Sequence, residues 1–178
     1  MKKVISGGQT GVDRAALDAA MAQHIETGGW CPRGRRALDG EIPPHYPLLE
    51  TQGKGYQTRT KWNVRDSDAT LILCHGEPSG GTALTVRYCQ ALAKPYFICR
   101  LHAGRNPVQM DDSLLPWLSK QRVMILNVAG PRENKAYPIY RPAYELLELL
   151  FKQWQQLPPH RHGPLFSASL NMEGEVDT

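Results

Sequence analysis

Short apolar runs alternate with helix-periodic segments along most of this chain, and that alternation restricts the fold more than any other feature. Residues 3–6, 27–30, 69–74, 96–100 and 123–128 have the length and composition of strands. Residues 11–24, 56–66, 82–93, 114–120 and 137–155 carry helical spacing; in the first, Val12, Ala16, Leu17, Ala20 and Met21 share a face. Runs that are apolar on both faces and joined by helical crossovers form a parallel sheet covered on both sides. The expected class is α/β: a three-layer domain with a mainly parallel five-stranded sheet, strand order 2-1-3-4-5 favoured. In that order the turns after the first and third strands lie side by side at the carboxyl edge, where open α/β sheets bind ligands.

At 178 residues the chain is long enough to bury a core without a disulfide or metal staple. One domain is expected over residues 1–156, and residues 157–178, rich in Pro, His, Ser and acidic residues without periodicity, read as a flexible tail. Residues 32–54, dense in Gly, Pro and charge, form an unusually long excursion of the kind that carries function in compact domains. A net charge of +4 suits an anionic ligand but falls short of a nucleic-acid-binding face. No run reaches the ~20 apolar residues of a membrane span, and no signal-type stretch precedes the first strand, so a cytoplasmic protein is expected.

Two glycine-rich turns carry the chemistry. Ser6-Gly7-Gly8-Gln9-Thr10-Gly11 follows the first strand and Pro78-Ser79-Gly80-Gly81-Thr82 the third, each opening a helix. At a helix start the first amides lack intrahelical partners and the dipole is positive, so an anion such as phosphate can sit there. Gly7, Gly8, Gln9, Thr10, Gly11, Asp13 and Arg14 are candidates in the first turn, and Ser79, Gly80, Gly81 and Thr82 in the second. Asp13 also fits a residue that only balances the helix dipole, and Thr82 an N-cap. A third turn, Gly130-Pro131-Arg132-Glu133, offers Arg132 for bidentate contact with phosphate or carboxylate, although a surface ion pair explains it equally well.

Arg59 and Asn63, four residues apart, share a face of the second helix. Trp30 and the following Cys31-Pro32-Arg33-Gly34-Arg35-Arg36 could stack a flat heterocycle and grip its phosphate, or Trp30 could be core. His75 ends the third strand beside the second glycine turn and is a further ligand candidate. The six histidines, His24, His45, His75, His102, His160 and His162, lack metal-ligand spacing, and the four cysteines lack a Cys-x-x-Cys pair. No metal held by protein side chains is expected, and the cysteines read as buried thiols.

Taken in order, Gly7-Gly8-Gln9-Thr10-Gly11-Val12-Asp13, Thr27-Gly28-Gly29-Trp30, Arg59-Thr60 with Asn63-Val64, Ser67-Asp68-Ala69-Thr70, Gly80-Gly81-Thr82 and Gly130-Pro131-Arg132-Glu133 resemble the molybdenum carrier family of the SLOG superfamily. The resemblance runs from residue 1 to about residue 155. It implies a Rossmann-like domain, a nucleotide-like or pterin ligand with molybdenum cofactor (molybdopterin) as cargo, and self-association into a homo-oligomer. A more distant similarity is to the lonely-guy phosphoribohydrolases, whose glycine turn is followed by a glutamate. Thr85 stands at that position. Cleavage would then need another carboxylate, for which Asp13 and Glu133 are the candidates. The favoured expectation is a carrier of an anionic phosphorylated ligand; the alternative is a nucleotide-processing, phosphoribohydrolase-like enzyme.

Overall fold

The computed structural model describes residues 1–101 and 110–158. His102, His160, His162 and all but the first two residues of the expected tail lie outside the described residues. The elements in chain order are β1 (Lys3–Ile5), α1 (Val12–Ala22), β2 (Glu26–Gly28), β3 (Trp30–Cys31), β4 (Arg36–Ala37), β5 (Gly40–Glu41), β6 (Leu49–Glu50), α2 (Tyr56–Arg65), β7 (Ala69–Cys74), α3 (Gly80–Ala91), β8 (Tyr96–Arg100), α4 (Leu114–Lys120), β9 (Ile125–Ala129) and α5 (Tyr140–Gln156).

Five strands form the expected parallel sheet, in the order β2-β1-β9-β7-β8. The predicted order 2-1-3-4-5 is corrected: the last strand inserts between the first and the third, giving 2-1-5-3-4. The physical reason is burial. β9 packs its middle residues on both faces, whereas β8, placed at the edge, leaves Tyr96, Phe97 and Ile98 partly exposed. If β9 is counted first and the chain is read on from β1, the same sheet runs 3-2-1-4-5, the order of a doubly wound Rossmann sheet. The topology is therefore a cyclic permutation of that fold, with its strand-order reversal between β9 and β7.

The main core lies on one face of the sheet, where Val4, Leu71, Leu73, Leu126 and Val128 meet α1, α4 and α5. Helix α5 turns Ala143, Leu146, Leu147, Leu150, Phe151 and Trp154 inward, an i, i+3, i+4, i+7 stripe. Burying each of its large side chains contributes roughly 1.5–3 kcal/mol. The alternating residues of β7 face the other way: Thr70 meets Asn127 of β9, whose Nδ2 donates to its Oγ1 at 3.2 Å, and Cys89 of α3. That second face is covered by α2 and α3, which pack on each other. It carries buried polar residues, including Thr60, Asn63, Thr82, Thr85 and Asn127.

The excursion at 32–54 is ordered. A parallel pair, β3–β6, and an antiparallel hairpin, β4–β5, frame a second small core of Leu17, Cys31, Ile42, Tyr46 and Leu48. Arg35 holds it together: its guanidinium donates to the carbonyls of Ile42, Pro43, Tyr46 and Leu48 at 2.9–3.2 Å. Asp18 of α1 accepts from Tyr46 at 2.8 Å and from Tyr140 of α5 at 2.6 Å, which joins three parts of the chain. Burial, with Asp18 as acceptor, raises both phenol pKa values.

Candidate functional site

The turn after β1 is closed by its own neighbours. A Cβ on Gly7 would strike the Arg59 guanidinium, one on Gly8 the Leu48 side chain, and one on Gly11 the backbone of Pro131 and Glu133. Gly8 and Gly11 also have φ of 72° and 83°, a region that L residues rarely occupy. The first amide of α1 is already used, since Val12 N donates to the Pro131 carbonyl at 3.2 Å. Glu133 N donates to Thr10 Oγ1 at 3.4 Å, so the third turn is stitched to the first.

Asp13, in the first turn of α1, is 3% exposed. Its Oδ2 accepts from Arg59 Nη1 at 3.0 Å and Gln9 N at 3.3 Å. Burial pushes the Asp13 carboxyl above its ordinary value, and the Arg59 charge opposes that shift without cancelling it. Arg59 Nε is buried with no hydrogen-bond partner among the described residues, which satisfy this guanidinium only in part.

The turn after β7 is open. Nothing lies within 4 Å of a Cβ on Gly80 or Gly81. Ser79 precedes α3 without a side-chain capping bond, and the amides of Gly80 and Gly81 have no partner among the described residues. Thr82 is 4% exposed, and its hydroxyl has no hydrogen-bond partner among the described residues. Helix α2 begins in the same uncapped way, after Gly55.

Both helix starts border one cavity of about 970 Å³. Tyr56, Gln57, Thr58, Arg59 and Thr60 come from α2; Gly80, Gly81, Thr82, Leu84, Thr85 and Arg87 from α3; Ala129–Arg132 from the end of β9. Gly55 and Ser79 border it before the two helices, and Gln9 and Asp13 close it from the first turn. Arg87 and Arg132 are exposed and have no ion-pair partner among the described residues. The surface pairing considered for Arg132 goes instead to Arg141 and Glu145, at 2.8 Å. Two positive helix ends and three arginines therefore surround one buried carboxylate.

Of the residues read from the sequence, the cavity gathers Gln9, Asp13, Arg59, Ser79, Gly80, Gly81, Thr82 and Arg132. The others lie behind or beside it. Arg14 pairs with Asp39 and donates to the Gly8 carbonyl. Asn63 holds the backbone of Trp30 with two hydrogen bonds, while the Trp30 indole donates to Asp66 and meets Trp62 edge-on. His75 bridges the carbonyls of Leu101 and Pro138. The Glu133 carboxylate accepts from Ile139 N and Tyr140 N, capping the start of α5.

A model of the circularly permutated YpsA SLOG family matches residues 4–151. The chain belongs to that family. The permuted strand order of this SLOG protein agrees with the family's description, and its cavity sits at the β9–β7 reversal where a Rossmann sheet binds ligand. A similar solved structure, the crystal structure of "Putative molybdenum carrier protein" from Syntrophus aciditrophicus SB, is 43% identical. The match covers 84% of this chain and 94% of that one, with a TM-score of 0.77. No curated protein matches the sequence.

Tyr56, Gln57, Thr58 and Arg87 of this SLOG protein were not singled out by sequence reasoning, yet they border the cavity. A signal for the first three existed: Gly53-Lys54-Gly55 enters a helix without a Ser, Thr, Asp or Asn cap. Among the described residues no group of three His, Cys, Asp or Glu side chains could hold a metal ion, and no helix is long and apolar enough to cross a membrane. Cys31, Cys74, Cys89 and Cys99 are buried and free; burial pushes the Cys99 thiol up to about 11.

Proposed function

We propose that this protein carries a phosphorylated heterocyclic cofactor, molybdenum cofactor in particular, with its phosphate on the Gly80–Gly81 turn. The observation that supports the reading most is the convergence of two uncapped helix starts and Arg59, Arg87 and Arg132 on one cavity. The amides and arginines are donors suited to the oxygens of a phosphate ester, and glycine at 80 and 81 leaves the room a phosphate needs. Molybdenum then travels on the cofactor's own ligand atoms. The name borne by the 43% identical structure, a molybdenum carrier, supports a molybdenum-related ligand.

The experiment is calorimetric titration with molybdopterin, nucleoside monophosphates and molybdate alone, on the native protein and on Gly81→Ala. Saturable binding of molybdopterin, weakened in the variant, supports the reading; binding of molybdate alone would replace the cofactor with the bare oxyanion. The cleavage alternative draws on Asp13, a buried carboxyl at the cavity wall with a raised pKa. Release of free base from a nucleoside monophosphate, lost in Asp13→Asn, would favour it. We assign residues 1–156 to one ligand-binding domain in the cytoplasm, self-associated as a homo-oligomer, which sedimentation of the full chain tests.

A further inference from the structure

Gln9 is the cavity residue whose chemistry is most narrowly defined by its surroundings. Its Oε1 accepts from Leu38 N at 2.7 Å, from Thr10 N at 3.0 Å and from Thr10 Oγ1 at 3.4 Å. Backbone amides can only donate, so the carboxamide cannot be flipped without setting N–H against N–H. The remaining group, Nε2, has no acceptor among the described residues and is not sealed from open space. Gln9 borders the cavity, and Nε2 is its one side-chain polar group without a partner among the described residues.

The hairpin that supplies Leu38 N is itself tied down. Asp39 pairs with Arg14 through two bonds of 2.6 and 2.9 Å, and Arg14 Nε donates to the carbonyl of Gly8, the residue before Gln9. The β4–β5 hairpin thus fixes the side chain and the backbone of Gln9 together. The distance to the open glycine turn follows from the sheet. Gln9 follows β1, Gly80 opens the helix after β7, and β9 lies between them, so the two turns stand two strand spacings apart, about 10 Å. A lone phosphate or molybdate cannot span that gap, whereas a heterocycle joined through a sugar or side chain to its phosphate can.

We propose that Gln9 selects the ligand's heterocycle, its Nε2 donating to a ring carbonyl while the phosphate occupies the Gly80–Gly81 turn. This rests on the phosphate reading above and adds the class of ring: an oxo-purine or oxo-pterin is accepted, and an amino group at the same position, being a donor, is disfavoured.

The test titrates the full chain with inosine 5′-monophosphate, adenosine 5′-monophosphate and ribose 5-phosphate. The two nucleotides differ at the purine position where one carries oxygen and the other an amine. Inosine monophosphate should bind roughly fivefold tighter than adenosine monophosphate, the size of one net hydrogen bond. Gln9→Ala should bring that ratio to about one and leave ribose 5-phosphate binding unchanged, which also reports that the variant is folded. Gln9→Glu, which keeps the oxygen facing Leu38 and replaces the donor by an acceptor, should weaken inosine monophosphate relative to the native protein. Equal affinity of the native protein for both nucleotides, or an unchanged ratio in Gln9→Ala, overturns the inference alone. Loss of all binding, ribose 5-phosphate and inorganic phosphate included, overturns the phosphate reading beneath it.

Discussion

A β-carbon placed on Gly7, Gly8 or Gly11 collides with protein, while one placed on Gly80 or Gly81 meets empty space. The amides differ in the same sense: Val12 N at the start of α1 is consumed by the Pro131 carbonyl, and those of Gly80 and Gly81 at the start of α3 have no partner among the described residues. Two turns of similar composition therefore use glycine for opposite ends. In the first it lets distant segments close on the chain, with Arg59, Leu48 and the 131–133 backbone each occupying the place of a missing side chain. In the second the space beyond the glycines is clear, although Gly80 too takes a left-handed φ, of 50°. A glycine-rich turn at a strand end thus indicates close approach of something, and only the surroundings say whether that is protein or ligand.

Substitution breaks this comparison open. Gly11→Ala should have the largest effect, because the new methyl stands 2.6 Å from Glu133 N and Pro131 O and the backbone is held at a φ of 83°. Neither neighbour is a side-chain end that can swing away. A loss of about 3 kcal/mol is expected, which for a domain of this size lowers Tm by roughly 10 °C; thermal unfolding by calorimetry checks it. An unchanged Tm would mean that the first turn is as open as the second.

Arg35→Met ranks next. It strips four backbone carbonyls of the excursion of their donor while keeping most of the aliphatic stem. We expect about 2 kcal/mol of destabilisation in urea and faster proteolytic cutting within residues 36–50. Gly8 leans on Leu48 and Ile42 of that excursion, so the first turn should loosen with it.

Gly81→Ala should give the converse pattern. Alanine has the better helix propensity and meets nothing, so stability should stay level or rise by up to about 1 kcal/mol. Affinity for a phosphorylated ligand should fall roughly tenfold, about 1.4 kcal/mol, because the methyl fills the phosphate's approach. Paired denaturation and titration separate the two effects, and a variant that is both stable and fully competent to bind would remove the second turn from the site.

Local pattern carried the fold class and failed where the determinant was distant in sequence. The apolar runs at 69–74 and 96–100 and the stripe of α5 are local signals, and the structure places them as read. Strand order is not local: the run ending at Val128 looks as apolar as that at Tyr96–Arg100, and what centres β9 is pairing with both β1 and β7. Likewise, nothing near Gly7 announces that Arg59 will fill its missing side chain. Trp30 looked like a stacking surface because Asn63 and Asp66, which fix its backbone and indole, lie more than thirty residues away. Gly7-Gly8 and Gly80-Gly81 read alike in sequence, and what separates them, Arg59 and Leu48 against open space, lies far along the chain.

The last prediction concerns Asp13, where the closed turn and the open cavity meet. Its folded pKa is raised above the ordinary 3.8 chiefly by burial, so between that value and the raised one the folded chain binds a proton that the unfolded chain has released. Stability then declines as pH rises through this window, since the unfolded state gains by ionising and the folded state does not. Asn at this position cannot ionise and removes the term. The stability of Asp13→Asn, which sacrifices the charge facing Arg59, should therefore improve relative to the native protein as pH rises above 3.8 and level off once the native carboxyl is ionised. Urea midpoints of both proteins across that range give the difference directly. A constant difference would place the carboxyl at its ordinary value, and a difference that grows in the opposite direction would mean that Arg59 outweighs burial. In either case Asp13 would be a permanently charged partner that fixes Arg59 at the wall between the two turns, and no longer a carboxyl poised by its burial.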